Sequence, residues 1–434
     1  MTPQGREGTA GGPWPRLLDW AKRLPHGARL AARETLRAPR GALEGLFFLF
    51  IFFPYIRILP IPTDLQPNAL LMSGGFLIYF LVVQRRPMPL PLLPLLFCAL
   101  YSVVILFAFP ITFDALRSLA NYLGVFSMTL AVYFVLQGGF GRMKAWLAPG
   151  ILLWGAIGVI QKFVSPTIVT ALVLRGNING YGGRGVESFS PEPTFFGLVI
   201  LFYLLLLFIE RDRRLWLYAA LLFELVFLTK STMAIFILLL LGFLGLLLRV
   251  RRPRDLAVPT ILALSLPILF RPGFLFPPGS RILRVIDYAS TGPAGLLRTD
   301  TSLNERFSHV LFSLYGFLRD FPMPNGYGTF GEFFSAGLAA FPDLINTQAR
   351  FNRIMSGYGG AVFELGLPGL VIPATVTWII FRADALSVRE RLMVFFALSA
   401  ILMMSVPLSL PFVGLILGVL LHKRGAAPPA TATA

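Results

Sequence analysis

Cysteine is all but missing from this chain: Cys98 is the one such residue in 434. No disulfide framework and no cysteine-based zinc site can be built from it. Histidine is nearly as scarce, and His26, His309 and His422 lie too far apart for a metal-ligand spacing. The sequence therefore offers no metal site and no cofactor motif. Charged residues make up 14% of the chain against 56% hydrophobic ones, too little charge to cover a soluble protein of this size. A Walker-type glycine loop is absent, which argues against ATP-driven work by this chain alone. Residues 1–42 hold eight Lys/Arg, three acids and several Gly and Pro. They lack the apolar core of about 7–15 residues that a secretory signal would show.

What the chain has in plenty is apolar length. Mean hydropathy is +0.73, and runs of about 15–24 apolar residues recur, enough to cross a bilayer. The expectation is an all-α polytopic membrane protein with about twelve transmembrane helices. They are predicted at 43–60, 69–84, 90–110, 116–137, 145–163, 193–209, 214–229, 231–249, 256–271, 358–381, 391–405 and 407–421. Residues 391–421 also admit one long span, but basic clusters at both ends favour a hairpin broken at Pro407 and Pro411.

The net charge of +17 could suggest nucleic acid, but its placement points to a membrane instead. After the basic tail, alternate links are "QRRP" (84–87), "GRMK" (141–144), "ERDRR" (210–214), "RVRRPR" (249–254), "RADALSVRER" (382–391) and "HKR" (422–424). The opposite short links, "IPTDLQPN" (61–68) and "PITFD" (110–114), contain no Lys or Arg. Positive links stay on the cytoplasmic side, so both termini are expected there, the N-terminal tail near anionic lipid heads. The expected organisation is a basic cytoplasmic tail, 1–42, and helices one to nine within 43–271. A large outer loop covers 272–357, helices ten to twelve lie within 358–421, and a short cytoplasmic tail covers 422–434. A second outer loop covers 164–192.

Chemistry should gather in the outer segments. "GNINGYGGRG" (176–185) has five Gly in ten residues, so its backbone can approach a ligand closely. Ser190 is a plausible N-cap for the next span, and Pro191 and Pro193 suit a helix start. There Arg184 could grip an anion while Glu187 or Glu192 handles a proton; the plainer reading is a capped helix after a flexible loop. In "FLTKSTMAI" (227–235), Lys230 sits at the outer end of its span, either snorkelling or binding. Glu224 lies deeper and is expected to face the bundle interior.

In 302–331, Ser302 and Glu305 have capping-box spacing. Phe307, Val310, Leu311, Leu314, Phe317, Leu318 and Phe321 follow as one helical stripe, with Arg306, His309 and Ser313 on its flank. Such a helix would lie against the membrane or on the bundle top and bring Arg306 and His309 to one spot. Its plainer reading is an interfacial helix with a surface histidine. Arg350 and Arg353 precede the tenth span, and Glu364 lies inside it, costly unless paired or facing a cavity. Arginine clamps phosphate with short, charge-assisted bonds. Cations at one membrane edge therefore suit a lipid-linked diphosphate, whose tail stays in the bilayer.

Four blocks carry a resemblance. "RGVESFSPEPTFFG" (184–197) resembles an Arg-then-"SEPS-aromatic-G" element. "NERFSHVLFSLYGFLRDFPMPNGYGTF" (304–330) resembles an "R…aromatic…G-x-G" block. "SGYGGAVFELGLPGL" (356–370) resembles a block ending in "E-x-G-hydrophobic-G", and "LTKSTMAI" (228–235) is a looser match to "T-x-S-R". In their chain order, over about 160–375, they resemble the O-antigen polymerase/O-antigen ligase superfamily, the Wzy-like membrane glycosyltransferases. The resemblance implies a GT-C-like bundle in the bacterial inner membrane. It implies a metal-independent polymerase, without cofactor, joining undecaprenyl-diphosphate-linked oligosaccharide repeats on the periplasmic face. Diphosphate binding would fall to Arg184, Lys230, Arg306, Arg350 and Arg353. Catalysis would fall to Arg306 with His309, Glu187, Glu192 or Glu364. The bilayer and the lipid-linked oligosaccharide are the implied partners, with a chain-length regulator and a flippase beside them, and no nucleic acid. Two other activities stay open: a ligase moving finished polymer to an acceptor, and a twelve-helix carrier or flippase.

Overall fold

In the computed structural model, the described residues are 41–59, 61–138, 141–169, 171–174, 185–250, 301–340, 354–404 and 406–425, with scattered positions between 255 and 297. The chain divides after Leu49 into two units. Of the first, only the helical residues 41–49 are described; the second, Phe50–Ala434, contains all that follows. No strand occurs among the described residues, only the isolated antiparallel bridge between Ile56 and Val173.

The helices are α1 (Asn68–Leu77, continued by a π-turn over Ile78–Val83), α2 (Leu93–Ala108), α3 (Phe113–Gln137), α4 (Gly141–Phe163) and α5 (Pro193–Glu210). Next come α6 (Leu215–Phe223, continued by a π-turn over Glu224–Thr229), α7 (Thr232–Leu247), α8 (Thr301–Arg319) and α9 (Phe330–Ala340). The last are α10 (Gly357–Leu365), α11 (Val371–Phe381), α12 (Val388–Met404) and α13 (Pro411–His422). Helices thus occupy the apolar runs anticipated from sequence; the run at 256–271 lies almost wholly outside the described residues.

Among the described residues, four helical stretches are long and apolar enough to cross a membrane: Leu90–Ala108, Phe113–Gln137, Met143–Phe163 and Pro193–Glu210. On α2, Leu93, Phe97, Leu100, Val104 and Phe107 recur every three or four residues and are 45–75% exposed. The opposite face buries Leu95, Cys98, Ser102 and Ile105. A helix with an unpartnered apolar stripe of this length marks a membrane-embedded protein, because water would penalise that exposure.

The centre is built on α3 and α5, each buried over 72% of its apolar window. Thr112 caps α3 by accepting from the Ala115 N–H at 3.1 Å, and Asp114 sits in its first turn. α13 lies close along α3 because Gly414 and Gly418 are one turn apart on the facing side. A Cβ at either would come within 2.6 Å of Met128 or Val132. Small residues at this spacing let membrane helices approach where dispersion, rather than the hydrophobic effect, drives packing.

The expected tenth span is not continuous. It breaks at Gly366 (φ 64°, ψ −142°), between α10 and a 3₁₀ turn over Leu367–Leu370. Glycine alone adopts that backbone conformation without strain. The break exposes the Leu367 N–H, which donates to the Pro322 carbonyl at 3.0 Å, while the Asn325 N–H donates to the Phe363 carbonyl. The loop after α8 thereby docks into the gap. The proposed break in 391–421 is present: α12 ends at Met404, and α13 starts with Pro411 at its first position.

α8 also differs from its expected packing. It begins at Thr301, so Ser302 lies inside the helix rather than before it. The anticipated stripe splits between two sides. Phe307, Leu311 and Phe317 turn inward, with Phe307 and Leu311 packing against a core of Phe312, Phe330, Phe333, Phe334 and Phe363. Leu318 and Phe321 remain 69% and 55% exposed.

The basic links hold one another together. Glu210, fully buried, pairs with Lys144 at 3.2 Å and Lys423 at 3.3 Å, joining α4, α5 and the end of α13. Arg211 grips Glu390 with two hydrogen bonds of 3.1 and 2.7 Å. Arg86 donates to Gln137 at 3.2 Å, and Arg424 sits 4.8 Å over the Trp378 ring. Removing both lysines strands the Glu210 charge in the interior, a penalty of about 3–5 kcal/mol. The double variant Lys144→Met/Lys423→Met should therefore unfold at a clearly lower temperature in detergent. Adding Glu210→Gln to it should restore most of the loss; equal melting of double and triple variants would show that the stranded charge is not the cause.

Candidate functional site

A cavity of about 280 Å³ opens within the second unit. Its wall draws on the 61–67 loop, the start of α3, Glu192 at the head of α5, Arg306 on α8, residues 354–357 with α10, and the 407–411 turn. These are the links that charge alternation had set opposite the basic ones.

The start of α3 organises the cavity. Asp114, Arg117, Ser118, Asn121 and Tyr122 all line it; steps of three and four along a helix put them on one face. Arg117 faces Asp64 across 4.0 Å. Asn121 Oδ1 accepts from the Ser409 hydroxyl at 2.6 Å. Ser118 Oγ donates to Glu364 Oε1 at 2.8 Å, and the Tyr122 hydroxyl donates to Oε2 at 2.5 Å.

Glu364 is 6% exposed and lines the cavity from α10. Its carboxylate is held by two hydroxyls rather than a cation. A carboxylate so placed can accept a proton from a ligand hydroxyl without first breaking an ion pair. The Tyr122 ring lies 6.4 Å from that of Tyr327, whose hydroxyl donates to the Ser102 carbonyl at 2.9 Å. The "PNGYG" loop thus backs the acid.

Arg306 also lines the cavity, half-buried, and Glu192 lines it from an exposed position. Glu192 is itself the N-cap residue of α5, with no side-chain cap. Ser190, expected as the cap, instead donates its hydroxyl to the Glu187 and Glu192 carbonyls at 2.7 Å each. The turn is fixed from outside the helix, and Pro193 opens it as the sequence suggested.

The other candidates lie elsewhere or outside the described residues. His309 and Arg306 do not reach the same spot: Arg306 borders the cavity, and His309 is not among its lining residues. His309 is fully buried, its ring 5.2 Å from Phe330 and 5.5 Å from Phe334. Its Nδ1 accepts from the Met355 N–H at 3.2 Å, so it ties α8 to the strand of chain before α10. Glu187 is half-buried in the turn before α5, away from the cavity lining. Lys230 ends the π-turn after α6 in a left-handed conformation and does not line the cavity either. The 185–190 segment packs near it, through the Val186 N–H on the Leu228 carbonyl and Ser188 on Gln161 and Trp154. Arg184, Arg350 and Arg353 lie outside the described residues.

Glu224 is buried, as expected for its span; a Cβ on Gly155 would fall 2.5 Å from its carboxylate. Among the described residues no group of three or more His, Cys, Asp or Glu could hold a metal.

Arg117, Asp64, Asn121 and the hydroxyls beneath Glu364 were not anticipated. Arg117 lies inside an apolar span, the same signal that singled out Glu364, and its polar neighbours recur at helical spacing. That stripe was legible in "FDALRSLANYL". A scan of protein-family models finds no match for this chain, and a search of curated proteins finds none.

Proposed function

We propose that this protein is an inner-membrane polysaccharide polymerase, joining oligosaccharide repeats carried on undecaprenyl diphosphate at the periplasmic face. In this reading the chain crosses the membrane twelve times with both termini in the cytoplasm, and 272–357 forms the large periplasmic loop. The observation that carries it is one cavity bordered by two arginines, Arg306 and Arg117, and by the hydroxyl-held carboxylate of Glu364. Glycosyl transfer from a lipid diphosphate needs both functions. The acceptor hydroxyl attacks the anomeric carbon as the bond from that carbon to the diphosphate oxygen breaks. The electron pair leaves with the undecaprenyl diphosphate, whose growing charge the two guanidinium groups stabilise. The acceptor's proton passes to Glu364. Four sequence blocks, bearing between them Arg184, Lys230, Arg306 and Glu364 and in the chain order of the Wzy-like glycosyltransferases, give the second line of support.

Deleting the gene should make lipid-linked single repeats accumulate, with long chains restored on complementation. Accumulation of full-length polymer left unattached would instead establish ligation and overturn the polymerase reading. Sidedness has its own test, helped by the scarcity of cysteine. In a Cys98→Ser background, Glu332→Cys should react with a membrane-impermeant maleimide on intact spheroplasts. Arg213→Cys, exposed on a basic link, should react only after permeabilisation. The reverse pattern would invert the topology.

A further inference from the structure

Two arginines and a base account for the diphosphate and the proton, but not for the rest of the cavity wall. Gln66 is 2% exposed and lines the cavity. Its Nε2 donates to the Ile61 and Thr63 carbonyls, while its Oε1 has no hydrogen-bond partner among the described residues. A buried amide oxygen left in this way costs about 1–3 kcal/mol, so a donor from a ligand is its natural complement. Asn121 is fixed in the opposite sense: Oδ1 accepts from Ser409, which leaves the two Nδ2 hydrogens to give. Asp64 and Arg117, 31% and 29% exposed and separated by 4.0 Å, place a further acceptor and donor on the same wall.

Tyr55 and Phe195 line the same cavity with ring centroids 5.8 Å apart. Acceptors and donors alternating beside an aromatic surface are the complement of a sugar. Each hydroxyl both gives and receives a hydrogen bond, and the ring's C–H face packs on aromatic carbon. A diphosphate has no donor for the Gln66 and Asp64 acceptors, and an isoprenoid tail can meet none of the polar groups.

We infer that Asp64, Gln66 and Asn121, with the Tyr55 and Phe195 rings, form a saccharide subsite that binds an uncharged, hydroxyl-bearing sugar of the lipid-linked substrate. The inference rests on the polymerase reading of the same cavity, and it places substrate selection on the α3 stripe and the 61–67 loop rather than on the outer loops.

The test uses the full chain, purified into nanodiscs, with two probes: undecaprenyl diphosphate and undecaprenyl diphosphate bearing a single N-acetylglucosamine. Wild-type protein should bind the sugar-bearing lipid at least about tenfold more tightly, the equivalent of one or two net hydrogen bonds. Asp64→Asn, isosteric and at a part-exposed site, should shrink that preference to about threefold or less. Asn121→Ala should do the same with binding of bare undecaprenyl diphosphate unchanged, whereas Asp64→Asn, which uncovers the Arg117 charge, should hold that binding at or above the wild-type level. Equal binding of the two lipids by wild-type protein, or an undiminished preference in both variants, overturns the subsite while leaving the polymerase reading intact. Failure of either lipid to bind overturns that reading and the subsite with it.

Discussion

Arg306→Ala should abolish long-chain polymer in a complemented deletion strain, lowering transfer by about 10³-fold, while the protein still accumulates in the membrane. The size of the effect follows from what the guanidinium would do. A diphosphate leaving group gains charge as the anomeric bond breaks, and a preorganised cation in a half-buried cavity stabilises that charge more than bulk water can. Removing a single neutral donor from comparable sites costs about 10²–10³-fold, and removing a charged, forked donor should cost no less. Arg306→Lys keeps the charge and loses the planar fork, so it should recover only part of the activity, about one to two orders below wild type.

Arg117→Ala should cost less, because Asp64 already offsets part of its charge at 4.0 Å. The readout is the length distribution of the polymer on a gel, with membrane abundance measured in parallel. Normal chain lengths in Arg306→Ala at normal abundance would remove Arg306 from the diphosphate clamp.

The apolar runs were legible because period and length are local properties. A stretch such as Pro193–Glu210 declares itself by composition alone, and Pro193 marks where its helix begins. The partition of short links into those with and without Lys or Arg was equally plain, and members of each set meet in the structure: Glu210 with Lys144 and Lys423 on one hand, the shared cavity wall on the other. The break at Gly366 was not visible. "ELGLPGL" reads as an apolar span with two glycines and a proline, and only the docking of the loop after α8 explains why the chain unwinds there. The burial of His309 was hidden for a related reason. Its position on the α8 flank is a matter of spacing, but which side of α8 is covered depends on α9, and Phe330 and Phe334 enclose the imidazole. Asp64 was hidden by sequence distance: it is unremarkable in its own segment, and the fold alone brings it and Arg117 to the same wall as Arg306.

Glu364→Gln separates chemistry from architecture most cleanly, because its two expected effects have opposite signs. The amide keeps the size and planarity of the carboxylate; its oxygen can accept from one of the Ser118 and Tyr122 hydroxyls, and its NH2 can donate to the oxygen of the other. It cannot take up a proton from the acceptor. Loss of a general base costs about 10²–10⁴-fold, so polymer should fall to trace levels. Folding should not suffer. Glu364 is 6% exposed and its partners are hydroxyls, and keeping a carboxylate buried without a cation opposes folding. The variant should therefore melt at the wild-type temperature or above it. Tyr122→Phe should behave differently, removing one of the two donors that hold the acid in place. It should lower transfer about tenfold, in keeping with one lost hydrogen bond to a charged group, and slightly lower the melting temperature. A structural carboxylate would give the reverse pattern: Glu364→Gln would retain polymer while both variants lost thermal stability. That outcome would move the base to Glu192, the other described acid among the original candidates that borders the cavity.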